Sequence, residues 1–306
     1  MTIRTMTGED LPAALALWNR VMRHDPLGEY ELARCLFEDR NHDPEGLLVA
    51  ENGRAALGLV SAVTPGEGPA RVAAICAGSA ELTAQLLGAA ERQLLRRGAQ
   101  EVVAGEYDGV ELAPGIDLRY GQLRAGFAQA GYTHTHTLDD MEIELAGYEP
   151  TPYQQECRRR AEEYGVRVVD WEAALIPALQ AYAVTAAGDL PAGWFWPDWE
   201  RGPTLMVALR GEDAIGHANY WPAPQHAFGR YRRESCGGFG PIGVLTEHRG
   251  HGIGTWLLAE SQLRVQAAGR DWLWAGWTNT PFYIPNGWHV SRQFAVWGKR
   301  LEDAAE

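Results

Sequence analysis

The feature that most constrains this chain is that it repeats itself. With Gly98 set on Gly269, Leu86-Leu87 falls on Leu257-Leu258 and Gly105 on Gly276, all at an offset of 171. A period that long exceeds any stacked solenoid unit and reads as two tandem copies of one domain. The length of 306 residues agrees, since each half is then long enough to bury its own core. Composition changes at the join: Trp18 is the one tryptophan before residue 150, and the other eleven lie from Trp171 onward. Between the halves, Gly147-Tyr-Glu-Pro-Thr-Pro152 is a turn-rich connector that suits no element interior. We therefore expect one domain over 1–146 and a second over 152–306.

Each half mixes helix and strand periodicities. In the first, Thr7-Gly-Glu-Asp10 resembles a capping box, and Leu11, Ala14, Leu15, Trp18 and Met22 keep helical spacing after it. Two apolar runs flank Asn52-Gly53, a pair that tolerates the backbone angles of a tight hairpin. A strand over 71–76, a helix over about 80–97 and a strand over 101–107 follow, giving the order β-α-β-β-β-α-β and then α-β. The second half repeats this order, with a helix at about 153–164, strands at 166–169, 204–209, 214–220 and 237–246, and helices at 171–187 and 252–268. It closes with strands at 271–277 and about 289–299. The expected fold class is mixed α/β.

Charge narrows the function. With 27 basic against 40 acidic side chains the net charge is -13, a field that repels phosphate backbones and excludes nucleic acid as the expected partner. The same field favours amines. Cys35, Cys76, Cys157 and Cys236 lie far apart without a CxxC pair, as expected of reduced thiols in a cytoplasmic protein. No run approaches the length of a membrane span, so no membrane partner is expected.

Chemistry concentrates at residues 240–258, where a strand passes through Arg249-Gly250-His251-Gly252-Ile253-Gly254-Thr255 into a helix. Glycines let a ligand approach the backbone, the helix start offers unpaired N–H groups and a partial positive charge, and Arg249 adds a full one, so the turn suits a phosphate. With no lysine in the turn it is not GxxxxGK[ST], and the third glycine comes too early for GxGxxG. The Arg-x-x-Gly-x-Gly pattern resembles instead the acyl-CoA pyrophosphate loop of the GNAT superfamily of N-acetyltransferases. A second motif of that family is similar to Asn279-Thr-Pro-Phe282-Tyr283-Ile-Pro-Asn-Gly287-Trp288, a short strand further on.

The resemblance implies two tandem GNAT-like domains, each a central, mostly antiparallel twisted sheet flanked by helices. It implies acetyl-CoA as co-substrate, no metal, and direct transfer to the amine of a small acceptor, cationic or amino-sugar-like. Val244, Leu245, Thr246, Arg249, Gly250, His251, Gly252, Ile253, Gly254, Thr255 and Asn279 would hold the donor, and Tyr283 would be the catalytic acid that protonates the leaving thiolate. Glu234 ranks first as general base, ahead of Glu247, Asp198, Glu200 and His217. An aromatic loop with Trp194, Trp196 and Trp199 would face the acceptor. At the offset of 171, Arg249, Gly252 and Gly254 fall on Gly78, Glu81 and Thr83, and Phe127 takes the place of the catalytic hydroxyl, so the first copy is expected to be degenerate. His134 and His136 read as an exposed strand face, Arg158-Arg-Arg160 as solvated, and Arg230-Tyr-Arg-Arg233 as a candidate for the CoA 3′-phosphate. The competing reading is a non-catalytic acyl-CoA sensor. A monomer or homodimer is expected.

Overall fold

From the N-terminus the chain forms β1 (Thr2–Thr5), α1 (Leu11–Val21), α2 (Glu29–Phe37), β2 (Leu47–Asn52), β3 (Ala55–Val63), β4 (Ala70–Ala77), α3 (Ala80–Arg96), β5 (Glu101–Ala104), β6 (Ile116–Asp117), α4 (Gly121–Gln129) and β7 (Thr133–Glu144). There follow α5 (Pro152–Glu163), β8 (Val166–Asp170), α6 (Ile176–Ala186), β9 (Leu205–Arg210), β10 (Asp213–Trp221), β11 (Cys236–Val244), α7 (Ile253–Ala267), β12 (Trp272–Ala275), α8 (Thr280–Tyr283) and β13 (His289–Arg300). The computed structural model describes residues 1–53, 55–66, 68–107, 114–186, 205–222 and 235–301. It confirms the mixed α/β class and the repeated order of elements.

The first unit holds Met1–Asp139 and the chain from Arg292 onward. Its sheet runs β1-β2-β3-β4-β5-β13, antiparallel except at β4–β5. Gly53 takes φ +69° at the β2–β3 turn, as the Asn-Gly signal predicts. α3 packs its leucine face on the sheet, with Leu86, Leu87 and Leu94 buried among Leu47, Leu59 and Phe127. The final strand completes this core: Trp297 stacks on Phe127 at 5.8 Å, and Trp297, Gly298, Lys299 and Arg300 pair with Ala104, Val103, Val102 and Glu101.

Membership of β13 in the first unit differs from the expected 152–306 boundary, as does the start of the second unit. Met141–Glu144 of β7 already pairs with β12, which moves the join ahead of the proline-rich connector. That connector is itself fastened to the second unit, since Tyr148 donates its hydroxyl to Gln262 at 2.6 Å. α2 was absent from the expected order. Its N-cap is Gly28, which has no side chain to signal a helix start, and its box is closed from the other end by Glu31 accepting the Gly28 N–H.

In the second unit the sheet runs β12-β11-β10-β9-β8, with Met141–Glu144 beside β12. Alternation along β9 sorts two cores: Met206 and Ala208 join Trp256, Leu257 and Leu273, while Leu205, Val207 and Leu209 join Leu179 and Tyr182 of α6. All four cysteines are buried free thiols.

Arg292 of β13 is enclosed by two buried carboxylates of the first unit, 2.8 Å from Asp25, with its other guanidinium nitrogen at 2.5 Å from Asp117. Burial alone would raise the Asp117 carboxyl, but hydrogen bonds from Arg119 and the charge of Arg292 outweigh it and hold it below its ordinary value. A depressed folded-state pKa stabilises above the carboxylate range and is lost as pH falls through it. Arg292→Ala, which leaves two acids buried, should cost about 3–5 kcal/mol in urea unfolding at pH 7, with a smaller loss in acid. A loss under about 1 kcal/mol would contradict this role.

Candidate active site

The site begins where two parallel strands stop pairing. β11 and β12 share only three register pairs, Cys236↔Trp272, Gly237↔Leu273 and Gly238↔Trp274. Past Gly238 the strand β11 continues to Val244 held by β10 alone. Between Ala218 and Tyr220 of β10 the register advances two residues while β11 advances three, from Ile242 to Phe239. The extra residue is a bulge at Gly240-Pro241, where a proline without an N–H costs the ladder nothing.

At the end of β11 the chain makes a turn of eight residues, Leu245–Gly252, before α7. Leu245 is anchored by its N–H to the Ile215 carbonyl, 3.0 Å, and Arg249 folds back to donate Nε to the Val244 carbonyl, 2.9 Å. Gly250 and Gly252 take φ of +83° and +85°, the left-handed region that costs a side chain energy. Gly252 also has no room for one, because a Cβ there would sit 2.3 Å from the Cys157 carbonyl oxygen of α5. Gly252 caps α7, and the first helical bond runs from Trp256 N–H to the Gly252 carbonyl. With no side-chain cap, the N–H groups of Ile253, Gly254 and Thr255 lack an acceptor within the helix and can bind an anion. Gly254 brings the helix start close to Phe282, whose ring would lie 3.4 Å from an added Cβ.

Tyr283 ends α8 and is buried with its ring edge-on to Trp288 at 5.0 Å and to Phe239 at 6.2 Å. Phe239 is the first residue of β11 beyond the last pair with β12, which puts the tyrosine ring beside the opening. Burial raises the Tyr283 pKa, so the hydroxyl is protonated at neutral pH. Asn279 caps α8 through its carbonyl, which accepts the Phe282 N–H at 2.9 Å.

Of the predicted site residues, Val244, Leu245, Thr246 and Arg249–Thr255 fall on this strand end, turn and the start of α7, while Asn279 and Tyr283 fall on α8, beyond β12. Glu234, Asp198, Glu200, Trp194, Trp196 and Trp199 lie outside the described residues. Glu247 is exposed on the turn. His217 is fully buried with Nδ1 at 2.9 Å from the Tyr182 hydroxyl, and burial pushes its pKa down to about 3, which makes it a weak proton acceptor. His134 and His136 stay on an exposed strand face, His136 at 2.9 Å from Glu106. Among the described residues no cluster of three or more His, Cys, Asp or Glu can hold a metal, and no helix is long and apolar enough to cross a membrane.

Sequence reasoning missed what α5 does. Besides Cys157 behind Gly252, Arg160 donates to the Gly250 carbonyl, and Tyr164 stacks on His251 at 3.7 Å while its hydroxyl meets His248 Nδ1 at 2.9 Å. Nothing in the helical periodicity of 153–164 announces which turn it supports.

The first unit has the same opening without the turn. β4 and β5 also pair over three residues, Ala70↔Val102 to Val72↔Ala104. A cleft there is lined by Trp18, Val72, Ile75 and Phe294 with Asp25 and Asp117. Only Gly78 and Ser79 separate β4 from α3, and Ser79 Oγ accepts the Leu82 N–H at 3.2 Å, occupying a helix-start donor that α7 leaves open.

Comparison with known proteins agrees with this geometry. Residues 155–275 match the acetyltransferase (GNAT) family, and the chain thus carries a GNAT-family acetyltransferase domain. Similar solved structures include a GCN5-related glucosamine N-acetyltransferase region of a fungal multi-domain β-N-acetylglucosaminidase, with TM-score 0.78 and 16% identity over 97% of this chain. This chain spans 38% of that fungal chain. A GCN5-related N-acetyltransferase from Sphaerobacter thermophilus superposes with TM-score 0.71 and 17% identity, covering 100% of this chain and 97% of its own. A tandem GNAT protein from the clavulanic acid biosynthesis pathway gives 0.64 and 13%, covering 99% of each chain. These likenesses establish the fold, two tandem GNAT-like units. No curated protein sequence matches the chain.

The glycines separate two effects that stability measurements can resolve. Gly250→Ala meets nothing within 4 Å and should cost only the backbone strain of about 1–2 kcal/mol. Gly252→Ala adds a collision with the Cys157 carbonyl and should cost clearly more in urea unfolding. Equal costs would mean that α5 does not hold the turn.

Proposed function

We propose that the second unit transfers an acetyl group from acetyl-CoA directly to the amine of a small acceptor. The observation that carries this reading is the opening between β11 and β12, with an uncapped, glycine-rich helix start at its foot and a protonated tyrosine beside its first free residue. The pyrophosphate would lie against the N–H groups of Ile253, Gly254 and Thr255 with Arg249 near, and the pantetheine arm would run along the free edge of β11 as an added strand. Val244 and Thr246 flank that arm, and Asn279 closes the far side.

The acceptor nitrogen attacks the thioester carbonyl carbon, the C–S bond breaks, and the departing thiolate takes a proton from the Tyr283 hydroxyl. The hydroxyl is neutral at physiological pH, and because burial makes it a weaker acid, it gives up the proton only as negative charge builds on sulfur. The acceptor must lose its own proton to a base, for which Glu234 is the candidate, while buried His217 holds a proton too weakly to serve. No metal enters the scheme. The first unit, with a capped two-residue turn, Glu81 in its first helical turn and acids in its cleft, binds no CoA. The net charge of -13 favours a cationic acceptor, and an amino sugar agrees with the name of the fungal region of similar fold.

Acetyl transfer to a panel of small amines, including amino sugars, tests the reading. Tyr283→Phe keeps the ring packing and should lower kcat by about a hundredfold. Unchanged kcat across pH would remove Tyr283 from the chemistry.

A further inference from the structure

Arginines around the glycine turn are arranged differently from their neighbours. On α5, Arg158 pairs with Glu162 at 2.8 Å and Arg159 with Glu156 at 2.6 Å and with Glu163; on α7, Arg264 pairs with Asp170 at 2.9 Å. Arg160, Arg210 and Arg249 make no close ion pair among the described residues, although the charge of Arg160 is felt by the Glu156 carboxylate one turn away on α5. Each is instead tethered to neutral groups at the turn or at the ring that supports it. Arg160 donates to the Gly250 carbonyl, and Arg249 Nε donates to the Val244 carbonyl. Arg210 Nε donates to the Tyr164 carbonyl at 3.2 Å, and its guanidinium lies 4.1 Å from the centre of the Tyr164 ring. Tyr164 in turn stacks on His251, inside the turn.

Such tethering keeps all three charges and leaves further N–H donors on each guanidinium, in a chain whose net charge is -13. A carbonyl contact fixes a guanidinium without neutralising it, so the charge is held ready for an anion. Arg249 and the Arg160 contact at Gly250 belong to the turn that leads into α7, whose first N–H groups lack a helical acceptor and are a second source of anion affinity.

We infer that Arg160, assisted by Arg210 through the Tyr164–His251 stack, makes a second phosphate contact to the nucleotide end of the acyl-CoA donor, beside the contact at the helix start. The inference rests on the acetyl-CoA reading above and gives α5 a binding role in addition to its support of Gly252. It also moves the basic group that matters from Arg230-Tyr-Arg-Arg233, which lies outside the described residues, to the last turn of α5.

Calorimetric titration of the full chain with CoA and with dephospho-CoA, at low and high ionic strength, tests this for wild type, Arg160→Ala and Arg160→Lys. Arg160 is exposed on a helix surface, and a thermal unfolding scan checks that each variant is folded. Arg160→Ala should weaken CoA binding about tenfold at low salt, the gap should narrow as salt rises, and Arg160→Lys should recover part of it. If the gap persists with dephospho-CoA the contact is to the pyrophosphate, and if it vanishes the contact is to the 3′-phosphate; either supports the inference. Wild-type binding that Arg160→Ala leaves unchanged, or weakens equally at all salt concentrations, overturns it while leaving the acetyl-CoA reading intact. Absence of CoA binding by wild type overturns both.

Discussion

Everything proposed for this protein depends on two parallel strands that pair for three residues and then part. A strand inside a sheet is expected to satisfy its N–H and C=O groups on both sides, and an edge left open within a fold needs another partner. β11 is held by β10 along its length but leaves β12 after Gly238, and the bulge at Gly240-Pro241 bends it at that point. The open edge therefore follows from register, and the proposed site is built where that edge ends.

Both units open in this way, and what differs is the connection from strand to helix. Two residues with a serine cap close the helix start in the first unit, while eight residues with glycines in the left-handed region expose it in the second. On that one difference rests the proposal of one donor-binding and one silent copy of the same fold. The longer turn is not loose, since Gly252 lies against α5 and its histidines pack on Tyr164. A preorganised turn loses less entropy when a ligand arrives.

Much of this was legible in the sequence because helix and strand registers survived duplication together. α3 and α7 end at Arg96 and Ala267, and β5 and β12 begin at Glu101 and Trp272, each pair at the offset of 171. The preceding strands are displaced, however: Val102 and Leu273 differ by 171 while their partners Ala70 and Gly237 differ by 167. An alignment on the helix alone cannot register that insertion, so the mapping of Arg249 onto Gly78 conceals a longer turn. The strand-to-helix turn at Arg249–Gly254 was readable because glycines mark such a turn locally. The contacts of Arg292, Cys157 and Arg160 were not, because each meets residues distant in sequence, and periodicity says which face is buried but not against what.

The proposed function requires that one unit, and only one, binds the donor. Isothermal titration of acetyl-CoA into the purified chain measures this directly, before any acceptor is known. The structure predicts one site per chain. Two sites would contradict the silent first unit, and no binding by folded protein would contradict the reading of the Arg249–Gly254 turn as a phosphate site and, with it, the acetyltransferase assignment of this opening.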